Sequence, residues 1–68
     1  MAKSFEIIER VGTSFESSSD AVKSVIMEAH KEGGVSWFNV IEHRGRVTPD
    51  NKVEFQVTVK IGRKIEKI

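Results

Sequence analysis

Residues 53–61 read VEFQVTVKI, an alternating stretch from which the rest of the fold can be inferred. Odd positions carry apolar side chains, whereas even positions carry Glu, Gln, Thr or Lys. Successive side chains of a β-strand point to opposite faces, so this period of two predicts a strand with one apolar face. We expect a helix to cover that face, which is formed by Val53, Phe55, Val57, Val59 and Ile61.

The residues before this strand predict a hairpin. Pro49 followed by Asp50 and Asn51 is typical of a tight turn after Thr48. A second strand is therefore expected over residues 35–47 and the third over residues 52–65. Farther upstream, Phe5, Ile7 and Val11 recur with a period of two, which predicts a first strand over residues 3–12.

A helix is expected between the first and second strands. Ser17 is a suitable N-cap, and its spacing to Asp20 resembles a capping box. Gly33 and Gly34 are suited to end the helix. The helix would present one apolar stripe, formed by Ala21, Val22, Val25, Ile26 and Ala29. The predicted fold is α+β, in the order β-α-β-β, with one helix on a three-stranded antiparallel sheet and a single domain over residues 1–68.

The second face of this sheet has no helix to cover it. If Val47 pairs with Lys52, then Phe38 and Val40 join the helix-facing core. The opposite face would carry Trp37, Asn39, Ile41, His43 and Gln56, together with Ile8. A large apolar indole on an uncovered face predicts a cover supplied by another subunit or by a flat ligand. A simple role in a subunit interface is an equally open interpretation of Trp37.

The same register places Trp37 opposite Gly62 and His43 opposite Gln56. At about 3.3 Å per residue, Trp37 and Gln56 would lie roughly 20 Å apart along the hairpin. One small ring system cannot contact both within one chain. A site that used both residues would therefore have to be assembled from two subunits.

Length and composition favour an oligomer. The chain has 68 residues and no cysteine, so disulfides cannot supplement a small core. No metal site is expected, since His30 and His43 have no ligand cluster around them. Eleven basic and ten acidic residues nearly cancel, which gives no overall charge for attracting nucleic acid or a membrane. No signal peptide or membrane anchor is expected at the start, and a cytoplasmic location is the default expectation.

The chain resembles the dodecin family over nearly its whole length. Four segments carry the resemblance: ERVGTS at 9–14, DAV at 20–22, WFNVIEHRG at 37–45 and FQVTVKIG at 55–62. The resemblance implies a hollow homododecamer that binds flavins in pairs at two-fold interfaces. It also implies storage of the flavin and protection from photochemistry.

The resemblance further implies roles for particular residues. Trp37 would stack on the isoalloxazine ring, and Gln56 would hydrogen-bond its polar edge. Arg44 and Arg46 would form a phosphate site, which favours FMN over riboflavin, although both could equally be solvated arms of the hairpin. The ribityl chain would lie near Glu42 and His43. Coenzyme A is a further ligand implied by the family, without assigned residues.

One departure from the family pattern concerns the end of the third strand. Family members usually carry an aromatic residue after the glycine, where this chain has Arg63. Packing near that strand end is therefore expected to differ.

Two other function classes compete with flavin binding. Catalysis is not expected, because the chain has no cysteine, no Gly-x-Ser-x-Gly motif and no paired carboxylates near a histidine. The second class is a small oligomeric module that binds nucleic acid or protein without flavin. Its support would be a basic patch around Trp37, formed by Lys60, Arg63, Lys64 and Lys67 with Arg44 and Arg46.

Overall fold

A computed structural model of the protein describes residues 3–66. The elements are β1 (Lys3–Ser14), α1 (Ser18–Gly33), β2 (Trp37–Val47) and β3 (Val53–Glu66). The strands form one antiparallel sheet in the order β1-β3-β2, so the alternating stretch lies in the central strand. The predicted α+β fold is confirmed. β1 extends two residues beyond the prediction, and β2 begins two residues later than predicted.

Both ends of α1 follow the predicted capping pattern. The Ser17 hydroxyl oxygen accepts a hydrogen bond from the Asp20 backbone N–H at 3.0 Å. This bond satisfies one of the N–H groups that the first helical turn leaves without a partner. At the other end, Gly34 has φ 60°, and its N–H donates to the His30 carbonyl at 2.9 Å. The helix is therefore bounded by local sequence signals.

The core is a thin layer between α1 and the sheet. Its buried apolar residues are Ala21, Val25 and Ala29 from the helix and Val57, Val59 and Ile61 from β3. The helix packs mainly over β1 and β3 and hardly over β2. Gly12 permits the close approach to β1, since a Cβ there would lie 2.5 Å from the Ala21 carbonyl oxygen.

Several residues expected in this core are not buried in it. Phe38 and Val40 share the helix-facing side, as predicted, but they remain 49% and 40% exposed. Val53 has the correct parity yet is also largely exposed. For Phe38 and Val40 the reason is the position of the helix, which packs over the other two strands and leaves the helix-facing side of β2 largely uncovered. Val53 lies at the start of β3, beside the turn and opposite the exposed Val47.

The expected place of Ile8 on the uncovered face was wrong. Ile8 pairs with Ile61 and packs against the core. We call the sheet face opposite α1 the open face. β1 contributes Phe5, Ile7 and Val11 to it, and each of these side chains is more than half exposed. On β1 the helix-facing side is the side of Gly12, where the missing side chain lets Ala21 and Val25 of the helix approach closely.

A β-bulge corrects the predicted register of the hairpin. Trp37 pairs with Gly62, as expected, but Ile41 is an extra residue, and the pairing shifts by one beyond it. Val47 therefore lies opposite Val53 and not Lys52, and Gln56 lies opposite Arg44 and not His43. A bulge places two residues of one strand opposite one of its partner, so side chains beyond it change face relative to an uninterrupted strand.

Arg63 joins the end of α1 to the sheet. Its guanidinium donates a hydrogen bond to the Ala29 carbonyl at 3.0 Å and lies within 4 Å of Glu6 and Glu32. Arg10 on β1 donates to both carboxylate oxygens of Glu32. The hydrogen bond from Arg10 lowers the pKa of the Glu32 carboxyl. The residue that departs from the family pattern thus anchors the helix C-terminus.

The subunit is elongated and does not enclose a core of ordinary size. Its extents are 54 × 19 × 15 Å. The radius of gyration is 14.4 Å, compared with about 11 Å for a compact domain of this length. Shape and exposed apolar surface together indicate that burial must be completed by a neighbouring molecule.

Replacing the N-cap should weaken the fold. We expect Ser17→Ala to lower the free energy of unfolding by about 1 kcal/mol, because the Asp20 N–H loses its acceptor. Urea unfolding at one fixed subunit concentration measures the loss. Ser19→Ala, an exposed substitution in the same helical turn, serves as the control. An equal effect of both substitutions would contradict the capping assignment.

Removing the Glu32 charge should change the acid stability. The pKa of Glu32 is lower in the folded protein than in the unfolded chain, so the ion pair stabilises the fold above the ordinary carboxyl range. As the pH falls below about 4.3 and on through the lowered pKa of Glu32, the carboxylate is protonated and this stabilisation is lost. Melting temperatures between pH 7 and pH 3 should show Glu32→Gln less stable at neutral pH.

The difference between the wild-type protein and Glu32→Gln should then shrink toward pH 3. Glu16→Gln is the matched control, since Glu16 makes no ion pair among residues 3–66. A difference that stays constant across the pH range would show that the Glu32 carboxylate does not carry the effect.

Candidate functional site

The candidate site lies on the open face of the sheet. Directly opposed residues of antiparallel strands share a face. The pairings therefore place Ile7, Gly62 and Trp37 in one row across the three strands. A second row consists of Thr13, Gln56 and Arg44. The predicted ring-stacking residue and the predicted ring-binding amide are thus on the same face but in different rows.

The bulge at Ile41 decides which polar residues join this face. Beyond it, Glu42 lies opposite Thr58, and Arg46 lies opposite Glu54, on the same side as Gln56. His43 instead pairs with Val57, a core residue, and so belongs to the helix-facing side. The expectation that His43 shares a face with Gln56 was therefore wrong. The other predicted site residues, Trp37, Gln56, Glu42, Arg44 and Arg46, all belong to the open face.

The indole of Trp37 lies flat on the backbone of Gly62. The atoms nearest to a Cβ built on Gly62 are the ring-fusion carbon Cε2 and two of the ring atoms bonded to it, Nε1 and Cζ2. Because these three bonded atoms lie at similar distances from that Cβ position, the glycine faces the flat side of the ring. The Trp37 side chain is 39% exposed. One side of the indole is therefore covered by the strand, and the other is available to a ligand.

The backbone before Trp37 is tied to the same glycine. The N–H of Ser36 donates a hydrogen bond to the Gly62 carbonyl at 2.9 Å. Val35, one residue earlier, donates its N–H to Nδ1 of His30 at 2.9 Å. The link from α1 to β2 is therefore held at both ends, which limits the positions that the indole can take.

The two arginines of the site differ in their contacts. Nε of Arg46 donates to the Glu54 carboxylate at 2.7 Å, and this hydrogen bond raises the pKa of Arg46. Arg44 lies 3.7 Å from Glu42, beyond hydrogen-bond distance. Arg44 also lies directly opposite Gln56. Arg44 is thus the arginine with more capacity to bind an anion.

Trp37 and Gln56 do not meet within one chain. Their rows are separated by the stretch of β3 from Gly62 to Gln56, which spans about 20 Å at about 3.3 Å per residue. The corrected register leaves this distance unchanged, because the bulge changes the partner of Gln56 and not its position on β3.

The basic patch of the competing interpretation is divided by the sheet. Lys60 and Lys64 lie on the open face, opposite Glu9 and Phe5 of β1. Arg63 is on the helix-facing side, with a side chain only 15% exposed. Lys67 lies outside the described residues. The described cations therefore do not form one continuous surface around Trp37.

The structure also bears on metal and membrane binding. Within residues 3–66 there is no group of three His, Cys, Asp or Glu side chains that could hold a metal ion. In the same range no helix is long and apolar enough to cross a membrane.

Sequence reasoning paired Gly62 with Trp37 but gave it no role in the site, and it missed Thr13. Gly62 lies under the indole, and Thr13 lies beside Gln56. A glycine inside a central strand is a signal for close approach of another group, and it could have indicated Gly62. Thr13 had no such signal, because its neighbour across the sheet depends on the pairing of β1 with β3.

Comparisons with known proteins agree with this fold. The family model described as Dodecin matches residues 5–66. A dodecin from Thermus thermophilus is 33% identical over 67 residues, which cover 97% of each chain. The crystal structure of an arginine-to-alanine variant of T. thermophilus dodecin has a TM-score of 0.87 and 31% identity, and the match covers 98% of this chain and 100% of that one.

A more distant structure shares the fold at lower identity. It is a calcium dodecin from Mycobacterium tuberculosis described as having a novel calcium-binding site, with a TM-score of 0.84 and 20% identity. The match covers 93% of this chain and 91% of that one. The family match over residues 5–66 and the 33% identity to the T. thermophilus dodecin show that the chain belongs to the dodecin family of small flavin-binding proteins.

Proposed function

We propose that the protein stores flavin, with FMN as the preferred form, between Trp37 residues of neighbouring subunits in a hollow homododecamer. One observation carries the proposal: the indole lies flat on Gly62 and offers its other side at an apolar, uncovered sheet face. A flat aromatic guest buries that side without any rearrangement of the strand.

Stacking suits the electronic character of both rings. Indole presents an electron-rich face, and isoalloxazine is electron-poor, so offset stacking is favourable beyond the burial of apolar area. Because each Trp37 has only one side available, two related indoles would be needed to enclose ligand from both directions. This requirement supports flavins bound in pairs across a two-fold interface.

Gln56 is proposed to bind the polar edge of the flavin from the partner subunit. The separation of about 20 Å excludes contact with a ring stacked on Trp37 of the same chain. The glutamine amide combines a donor and an acceptor, which match the adjacent carbonyl and imide N–H of the ring. A complete site therefore needs two subunits, in agreement with a subunit too elongated to bury its own apolar surface.

Arg44 is proposed to bind the phosphate of FMN. A guanidinium matches phosphate oxygens with paired hydrogen bonds, and Arg44 is less engaged than Arg46. Because Arg44 lies opposite Gln56, the partner subunit that supplies Gln56 would supply Arg44 as well, and its Glu42 can meet ribityl hydroxyls. His43 is left out of the proposed site because it belongs to the helix-facing side. Coenzyme A has no assigned residues and is not part of the proposal.

Storage, and not catalysis, is the proposed purpose. An indole in van der Waals contact with a flavin can donate an electron to the excited ring and return it without net chemistry. The excited state is then quenched, and the bound flavin is protected from photochemistry.

Removing the indole should abolish most flavin binding. We expect Trp37→Ala to weaken FMN binding at least tenfold and to lose the quenching of flavin fluorescence, with subunit assembly retained. Fluorescence titration and size determination measure the two effects. Trp37→Phe is the control, since a smaller ring keeps part of the stacking. Unchanged affinity and quenching in Trp37→Ala would contradict the stacking role.

A colourless wild-type protein would contradict flavin storage itself. If such a protein also bound oligonucleotides with strong salt dependence, the competing nucleic-acid interpretation would be favoured.

The two arginines should differ in their effect on ligand choice. We expect Arg44→Ala to weaken FMN binding about tenfold while riboflavin, which has no phosphate, binds as before. Arg46→Ala is the matched control, because its guanidinium is held by Glu54. Parallel titrations with both flavins test this. Equal losses for FMN and riboflavin in Arg44→Ala would show that Arg44 does not bind the phosphate.

A further inference from the structure

We propose that Gly62 is the positioning residue of the flavin site: because it has no side chain, the Trp37 indole can lie directly on its backbone. The position of this backbone sets the height and tilt of the indole face on which the flavin stacks. This inference rests on the proposed function, since it assigns to Gly62 the placement of the group that binds flavin.

The backbone conformation at Gly62 does not require glycine. Among residues 3–66 only Gly34 and Asn51 have positive φ, so Gly62 has a backbone conformation open to any L-residue. Glycine in the interior of a central strand weakens that strand, because it adds no packing and loses more entropy on folding. Its presence here is explained by the ring above it.

The indole lies too close to Gly62 to leave room for a Cβ. A Cβ on Gly62 would lie within 2.5 Å of Cζ2 and closer still to Cε2 and Nε1 of Trp37. Real Cβ contacts are not that short, so the indole would have to move. The ring belongs to a side chain at the first residue of an edge strand, and it can swing outward without shifting the backbone. Alanine is therefore expected to displace the ring and leave the sheet intact.

Gly62 contacts both the ring and the chain that carries it. Its carbonyl accepts the Ser36 N–H, and the Trp37 ring occupies the space where a Gly62 side chain would begin. Ile7, in the same row on β1, lies on the far side of the glycine from Trp37. The indole is thus placed by one residue of β3 through two independent contacts.

The test is Gly62→Ala, observed first without ligand. Trp37 is the only tryptophan and the chain has no tyrosine, so near-ultraviolet circular dichroism and tryptophan emission report on this ring. We expect weaker dichroism and emission shifted to longer wavelength, with unchanged oligomeric size. FMN titration of the same variant should show at least a tenfold loss of affinity.

Gly33→Ala is the matched control. It adds the same methyl group near Arg63, at an ordinary contact distance of 3.5 Å, and does not touch the indole. Both spectra and the FMN affinity should stay as in the wild-type protein. If Gly33→Ala reproduced the losses of Gly62→Ala, those losses would be a general effect of adding a methyl group. The positioning role of Gly62 would then be contradicted.

A double substitution separates the contact from other roles of Gly62. In a Trp37→Ala background the clash is gone, so Gly62→Ala should have no further effect on assembly or on residual FMN binding. If Gly62→Ala alone failed to assemble, Trp37→Ala should restore assembly, and failure to do so would overturn the proposal. Unchanged spectra in Gly62→Ala would overturn it as well.

The two proposals fail in different ways. A wild-type protein that binds no FMN contradicts the proposed function, whatever the spectra of Gly62→Ala show. A wild-type protein that binds FMN, together with a Gly62→Ala variant that has a displaced indole and full affinity, contradicts only the positioning role.

Discussion

The subunit depends on one packing constraint: a single helix lies on one side of a three-stranded sheet. The 16-residue helix buries its Ala21, Val25 and Ala29 stripe against β3 and leaves the other side of the sheet without a layer. Side chains such as Phe5, Ile7 and Trp37 then remain in contact with solvent. The exposed apolar area is what makes both association and the capture of a flat ligand favourable.

Two local irregularities turn that uncovered side into a candidate site. The bulge at Ile41 moves Glu42, Arg44 and Arg46 to the same face as Trp37, and it moves His43 away from it. Gly62 lowers the surface of the central strand so that the indole can lie on the backbone. Neither feature changes the fold. Each changes which chemical groups a ligand would meet, and bulges and strand glycines are well suited to that role.

The fold was largely predictable because its signals are local. Alternation in residues 53–61, the Ser17 cap, the Gly33-Gly34 end and the Pro49 turn each act over a few residues, and all agree with one another. The errors arose where two elements meet. The depth of burial of Phe38 depends on where the helix lies, and the side of Ile8 depends on where Gly12 permits close approach.

The order of the elements and an indole that one helix cannot cover could both be predicted from the sequence. These follow from side-chain periodicity and turn chemistry, which are properties of short segments. The three-dimensional structure was needed to find the bulge at Ile41, the face of His43, the difference between Arg44 and Arg46, and the anchoring of the helix by Arg63. These depend on an extra residue in one strand and on contacts between residues distant in the chain, and no local pattern encodes them.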